Sequence, residues 1–523
     1  MAKAKKLLLS ERLHPLFMDN IDSWNLYKDA VKGGDDFINE DNLFTHRLED
    51  STDFDERLER AYYLNYCSVL PSIYNAFIFK EDIERPPDET LDVFRKSTDG
   101  RGTPISDFVA KIGFFSKIFG VMHVLVNMPD KNKERVTARF MKDNKIYPYC
   151  KLVYPTQLVD WSLDIDGNYR WVVIQSTYYS DEDPAIEREE KNHYHLITTK
   201  EWRIEDEKGA PADLGEGVSV KGTNELGIVP LVTVYHKDID NDKVGESMIK
   251  DIVYINRAIL NWSSCVDEQI ERQTFSQLVI PDDGSLSEQK ESGDDPLRKV
   301  GTASVWTFNA DARHAPAFIS PDTQNIQTIW KIIVDHIKEI FRIGGLIGSS
   351  DDMYVGSSGR ARQIGFLSVN SILAETSRCY QKFENDISRI AYAYMGKNTS
   401  EMEEVKYPNS FDITSLDEMV KSSFPVMERN FSTTLNKTIQ KNIARAALPL
   451  APNSIRKTIE DEIESGDGIV EPVNARGDTS SEDENIRKTE DKAGGNNQSN
   501  AGKTFRTKTT VEKEKIEHRV EKE

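Results

Sequence analysis

The 523-residue chain carries 88 acidic against 67 basic side chains, a formal charge of −21, and 38% of its residues are hydrophobic. Such a balance suits a globular protein and repels a polyanion from the average surface, which disfavours tight, wholesale nucleic-acid binding. At roughly 150 residues per domain the length predicts about three modules. Cys67, Cys150, Cys265 and Cys379 lie far apart and form no CxxC pair, so a reduced, intracellular compartment is expected and a zinc or redox motif is not. The opening "MAKAKKLLLSERLHPLF" has only three consecutive apolar residues, too few for a signal-peptide core.

In chain order, "STDFDERLERAYYLNYCSVLPSIYNAFIF" sets Asp53 three residues before Glu56, the spacing of a capping box. It also puts Leu58, Tyr62, Asn65 and Val69 on one face, predicting a long helix broken near Pro71. The apolar window 108–128 is interrupted by Lys111, Lys117 and His123 and reads as an amphipathic helix followed by a strand closed by Pro129. No membrane span or membrane partner is expected. Residues 147–236 change period to short β-rich runs, predicting a small, mostly antiparallel module with Asp166-Gly167 as a hairpin turn.

The run "VGESMIKDIVYINRAILNWSSCVDEQIERQ" places Met248, Ile252, Ile255, Ile259, Trp262, Val266 and Ile270 at helical spacing. A compact insert follows, with a β run, a polar stretch and a second β run around Val305, Trp306 and Phe308. The next helix starts after Pro321, with Asp322 or Thr323 as cap and Ile326, Ile329, Trp330, Ile333, Ile337 and Ile340 as its apolar stripe, and stops at Gly344-Gly345. A third long helix should bury Ile364, Leu367, Ile372, Tyr380, Phe383, Ile387, Ile390 and Tyr394. Shorter helices with Pro449 and Pro452 between the last two lead to about residue 465. Beyond it a polar tail with one aromatic, Phe505, cannot bury enough apolar area to order itself. The expected fold class is α+β, mainly α.

"GGLIGSSDDMYVGSSGRAR", residues 344–362, is glycine-rich but follows a helix, and Gly359 is followed by Arg360 and Ala361 where a P-loop needs Lys and Ser or Thr. Its length and Asp351-Asp352 argue for a working loop over a plain connector. Asp238, Asp240 and Asp242 alternate as at the start of an EF-hand, but Lys243 stands where Gly is needed and Ile249 where Glu is needed. His193 and His195 share a strand face without a third ligand nearby in sequence, so an ordinary half-exposed strand is the better reading. No G-x-S-x-G elbow or H-E-x-x-H motif occurs, and neither a cofactor nor an enzymatic activity is expected.

The series "HPLFMDNIDSWNLYKDAVKGGDDFI", "RLERAYYLNYCSVLPSIYNAFIFK" and "FGVMHVLVNMP", then "LGIVPLVTVYH" and "VGES" before a long helix, resembles the portal (head-to-tail connector) family of tailed bacteriophages. The order helix, insert, helix, glycine-rich loop, helix matches as well, and the resemblance spans about residues 14–465. It implies a portal fold: a β-rich wing at 1–244 and 359–412, stem helices at 245–276 and 321–343, and a small α/β clip at 277–320. It further implies a tunnel loop at 344–358 and a helical crown at 413–465, while the tail at 466–523 is not required by the family pattern.

The function so implied is a ring of twelve copies at one capsid vertex of the virion, assembled in the host cytoplasm. Double-stranded DNA passes through it during packaging and ejection. Its partners would be the terminase motor, the major capsid protein and scaffold, and head completion, adaptor and tail proteins. Tunnel-loop residues would be Gly344, Gly345, Gly348, Asp351 and Asp352, with Tyr354, Gly356, Gly359, Arg360 and Arg362. Lys331, Asp335 and Lys338 lie along a polar face of the second stem helix and would face the lumen. Asp282, Asp283, Glu288, Lys290 and Glu291 would form the clip's partner surface. A channel must touch DNA without gripping it, because each phosphate neutralised adds counterion-release affinity, so an acidic protein with few cations at the bore fits. The alternative is a metal-dependent nuclease of a mobile element using Asp238, Asp240 and Asp242.

Overall fold

A computed structural model describes residues 7–47, 49–80, 83–129, 147–180, 187–214, 218–237, 243–273, 277–279, 317–319, 323–346, 359–411, 416–429, 431–448 and 453–466. The fold mixes α and β, and it divides into two compact units, residues 1–413 and 414–523. In the first unit, helix α1 (Pro15–Lys32) is capped by His14, whose Nδ1 accepts the Leu16 N–H at 3.2 Å and whose ring stacks on Trp161. Helices α2 (Ser51–Arg60), α3 (Tyr66–Ile78), α4 (Asp92–Lys96) and α5 (Ile105–Phe119) follow, and α5 runs directly into β1 (Val121–Asn127).

β1 is the centre of a three-stranded antiparallel sheet, paired on one side with β2 (Tyr149–Val153) and on the other with β8 (Leu231–Tyr235). Six consecutive residues of β1 are buried, which accounts for its nearly continuous apolar run. The second sheet is a five-stranded meander of β3 (Leu158–Leu163), β4 (Tyr169–Ser180), β5 (Glu189–Thr198), β6 (Glu201–Glu205) and β7 (Lys221–Thr223). The β3–β4 turn is the expected Asp-Gly hairpin: Gly167 has φ +78°, and its N–H reaches the Asp164 carbonyl. His193 packs on Tyr178 and His195 on Trp202, so both imidazoles sit on the sheet as packing groups, and burial pulls His195 down to about 4.

Helix α6 (Ile252–Gln273) leads to β9 (Gln277–Val279), which pairs antiparallel with β10 (Ala317–Ile319), and α7 (Thr323–Ile343) follows. The 36-residue α8 (Gly359–Tyr394) then crosses the three-stranded sheet against β8 and β1. Tyr380, Phe383, Ile387 and Ile390 are buried as expected, Ile372 and Tyr394 are half-buried, and the Ile364 and Leu367 side chains lie outside the described set. A buried ion pair locks α8 in place: Arg85 makes two bonds of 2.6 and 3.0 Å to Glu384, which also accepts the Tyr407 hydroxyl. In the second unit the described helices are α9 (Leu416–Glu428), α10 (Thr433–Ala447) and α11 (Asn453–Ser465), and Pro449 and Pro452 fall in sequence between the last two as expected.

Several sequence expectations are corrected. The cap of α2 is Asp50, whose carboxylate accepts the Asp53 N–H, so the Asp53/Glu56 spacing lies inside the helix. The helical run breaks at residues 61–65, while Pro71 is buried within α3. Tertiary partners cause that break: Asn65 caps α3, and Asn256 of α6 accepts the Tyr66 N–H and donates to the Leu64 carbonyl. Tyr62 and Val69 are consequently exposed, and the buried positions are Phe54, Arg57, Cys67, Leu70, Tyr74 and Ile78. Helix α6 begins at Ile252, later than the sequence pattern, because residues 245–248 are tied to the end of α5.

That tie is made by backbone. Gly120, with φ +82°, and Gly245 approach so closely that a Cβ on Gly120 would lie 2.5 Å from Gly245 main-chain atoms. Alongside, Ser247 Oγ donates to the Ile118 carbonyl, and Met248 N–H donates to the Lys117 carbonyl at 2.9 Å. Lys117 itself is buried, its ammonium donating to Asn75, Gly113 and Tyr380, and burial pulls its pKa well down. A methyl at Gly245 would meet the Gly120 backbone, which no rotamer change relieves. Gly245→Ala should therefore destabilise the first unit by about 3 kcal/mol or more, read as a lower urea midpoint.

Candidate functional site

The helix pair α6–α7 and the chain that leaves it form the candidate site. The two helices pack side by side and run antiparallel, since the start of α6 and the end of α7 both meet Tyr66 of α3. Asn256 accepts its N–H at 2.9 Å, and the Phe341 ring lies 6.0 Å from its ring. Polar residues key α6 to the segments before it: Asn261 donates to the Asn42 carbonyl and accepts the Phe44 N–H, both at 2.8 Å. Ile252, Val253, Ile259, Leu260 and Val266 of α6, with Ile333 and Ile340 of α7, are buried in the shared core.

The expected apolar stripes extend beyond what one chain covers. Trp262 and Ile270 on α6 are 39% and 45% exposed, and Trp330 on α7 is 49% exposed. Their neighbours on the stripes are buried or half-buried, so these large side chains stand out as the ones left in water.

A corner of buried charge anchors the middle of α6. Arg57 makes a two-bond fork to Glu49, each arm 2.7 Å, and also donates to the Phe44 carbonyl and to Ser264. Both side chains are nearly inaccessible, and the Arg57 hydrogen bond is the chief cause that holds Glu49 down at about 2. Beside it, Cys265 Sγ lies 3.5 Å from His46 Nε2, and Glu268 lies 3.8 Å from Arg57.

At its far end α7 stops as the sequence anticipates. Gly345 takes φ +79°, Leu346 N–H returns to the Phe341 carbonyl, and Gly344 N–H to the Ile340 carbonyl, a glycine-terminated C-cap. The Gly344 carbonyl accepts the Tyr74 hydroxyl at 2.5 Å, and Leu70 closes over Gly344. The start of the glycine-rich segment is thereby fastened to α3.

Of the residues singled out in sequence, Lys331, Asp335 and Lys338 occupy successive turns of one face of α7. Lys331 and Asp335 are exposed, and Lys338 is half-buried. Gly359, Arg360 and Arg362 belong to the first turn of α8, with side chains outside the described set. Gly348, Asp351, Asp352, Tyr354 and Gly356, and Asp282, Asp283, Glu288, Lys290 and Glu291, lie outside the described residues, as do Asp238, Asp240 and Asp242. Sequence reasoning missed the Arg57–Glu49 fork and the Asn256 and Asn261 keys, whose partners are remote in the chain. No described helix is long and apolar enough to cross a membrane.

No protein-family model and no curated protein matches the chain. Among solved structures, it is similar to a chain of the virion of the native gene transfer agent particle, at 10% identity and TM-score 0.35, covering 75% of this chain and 89% of that one. It is similar to a chain of the neck of the native particle computed with C12 symmetry, at 11% identity and TM-score 0.37, covering 75% and 89%. A third similar chain comes from the neck of the empty particle computed with C6 symmetry, at 11% identity and TM-score 0.39, covering 76% and 89%.

The Arg57–Glu49 pair sets a pH dependence. Glu49 has a folded pKa depressed from 4.5 to about 2, so its contribution is full above pH 4.5 and is lost as pH falls toward 2. Glu49→Gln should destabilise the protein by about 3 kcal/mol at neutral pH by leaving Arg57 without its fork partner. Urea midpoints of the two proteins should converge as the pH is lowered through that window.

Proposed function

We propose that the chain is the portal subunit of a tailed-phage-type particle, a structural DNA conduit with no chemistry of its own. The observation that supports this best is the antiparallel α6–α7 pair, whose two bases seat on α3 while Trp262, Ile270 and Trp330 stay uncovered. Such side chains on a helical stem are satisfied when neighbouring copies pack stem against stem in a closed ring. In this reading residues 245–276 and 321–343 are the stem, 277–320 the clip and 344–358 the tunnel loop. The wing is 1–244 with 359–412, and the crown is 413–465.

The exposed face of Lys331 and Asp335 then lines the bore or its wall, with a mixed charge that neither repels nor holds a passing duplex. The glycine-rich segment leaving Gly345 and returning at Gly359 touches DNA, and Arg360 and Arg362 stand beside it. The clip residues Asp282, Asp283, Glu288, Lys290 and Glu291 meet the terminase motor and later the head completion proteins. The ring occupies the capsid vertex of the virion, twelvefold, among capsid, scaffold, adaptor and tail proteins.

Native mass spectrometry and negative-stain microscopy of the purified chain should give a twelvefold ring with a central hole; a stable monomer would sink the reading. Trp330→Glu should reduce ring formation at least tenfold while the subunit keeps its helical circular dichroism. Separately, Arg360→Ala combined with Arg362→Ala should leave the ring intact but lower DNA packaging or retention. Unchanged packaging and retention would reduce the segment to a connector.

A further inference from the structure

The corner at the middle of α6 holds more ligand chemistry than a conduit requires. Two short pairs face each other there, His46 and Glu49 three positions apart in the chain before α2, Cys265 and Glu268 three positions apart on one face of α6. A ring nitrogen of His46 and one oxygen each of Glu49 and Glu268 all lie within 4.8 Å of one another, and Cys265 joins this group through His46. Cys265 Sγ is 3.5 Å from His46 Nε2, and His46 Nε2 is 4.0 Å from Glu268. With bonds of about 2.3 Å to sulfur and about 2.0 Å to nitrogen, a tetrahedral zinc ion separates two such ligand atoms by about 3.5 Å.

We propose that His46, Cys265 and Glu268 bind a zinc-class divalent cation that clasps α6 to the segment before α2. Charge favours it. Arg57 forks to Glu49 and lies 3.8 Å from Glu268, so guanidinium, two carboxylates, thiolate and dication together sum to zero. Glu49 is held on both oxygens by Arg57, and one of them also accepts the His46 N–H at 2.8 Å. It therefore orients the His46 backbone and stands behind the ligands, with water in the fourth position. The mixed sulfur, nitrogen and oxygen set selects zinc or cobalt(II) over magnesium or calcium. His46 is 46% exposed on its side chain, which leaves the ion a way in, while Glu268 at 12% is sheltered. This site is independent of the portal reading and survives or fails by itself.

The test titrates cobalt(II), then zinc, into the full chain purified with a non-thiol reductant and stripped of metal. One equivalent of cobalt should give the intense visible bands of a tetrahedral site with a near-ultraviolet thiolate charge-transfer band, and zinc should displace it. Cys265→Ser should abolish the charge-transfer band, and His46→Gln should weaken binding at least about tenfold. Cys379→Ser, on α8, should leave both signals unchanged. Zinc should raise the melting temperature of the parent chain and not of Cys265→Ser or His46→Gln, whose metal-free melting temperatures report any folding defect separately. Absence of the thiolate band, or binding and stabilisation that persist in both variants, would overturn the site.

Discussion

Two glycines decide where the helix pair stands. Gly120 ends α5 and opens the central strand, Gly245 opens the approach to α6, and their backbones touch where no side chain fits. Main-chain contact leaves little freedom of angle, because neither partner has a rotamer to adjust. The Ser247 and Met248 bonds to the carbonyls of Ile118 and Lys117 continue the contact for another turn. The central sheet and the start of α6 are thus one rigid joint, and the position of everything carried on α6 follows from it.

Further along, the same helix is keyed by hydrogen bonds as well as packed by its apolar face. Asn256, Asn261 and Ser264 each satisfy groups of the 42–66 segment, and Arg57 closes the series with its fork to Glu49. Polar keys are directional, so they fix the rotation of α6 about its axis as well as its place. Fixing that rotation also determines which side of α6 presents Trp262 and Ile270 to the outside.

Local pattern revealed much of this fold. The long stripes of α7 and α8, the β run of β1, the Asp-Gly hairpin and the glycine stop at 344–345 depend on neighbours close in the chain, and they stand where periodicity and turn chemistry put them. What local pattern could not show was any feature decided by remote partners. The break at 61–65 needs Asn256, some 190 positions on, to accept the Tyr66 N–H and donate to the Leu64 carbonyl. Likewise Ser247 and Gly245 read as the first turn of a helix until the end of α5 is placed beside them. The corner of Arg57, Glu49, His46, Cys265 and Glu268 was illegible for the same reason, with acids, a histidine and a cysteine scattered over more than 200 residues. Apolar spacing also overstated burial, since Trp262 and Trp330 sit on the stripes and yet meet solvent.

The anchorage of Gly344 bears on mechanics. A helix that ended freely would unwind from its last turn when the chain beyond it was pulled, and each released turn would lengthen the segment and slacken the load. Here the last carbonyl is bonded to Tyr74 and the last turn is closed by Leu346, so tension entering at 346 is delivered sideways into α3. From α3 it reaches α5 and α8, which pack against it. The end of α7 is therefore a fixed point, and whatever pulls on residue 346 acts on the body of the first unit instead of on the last helical turn.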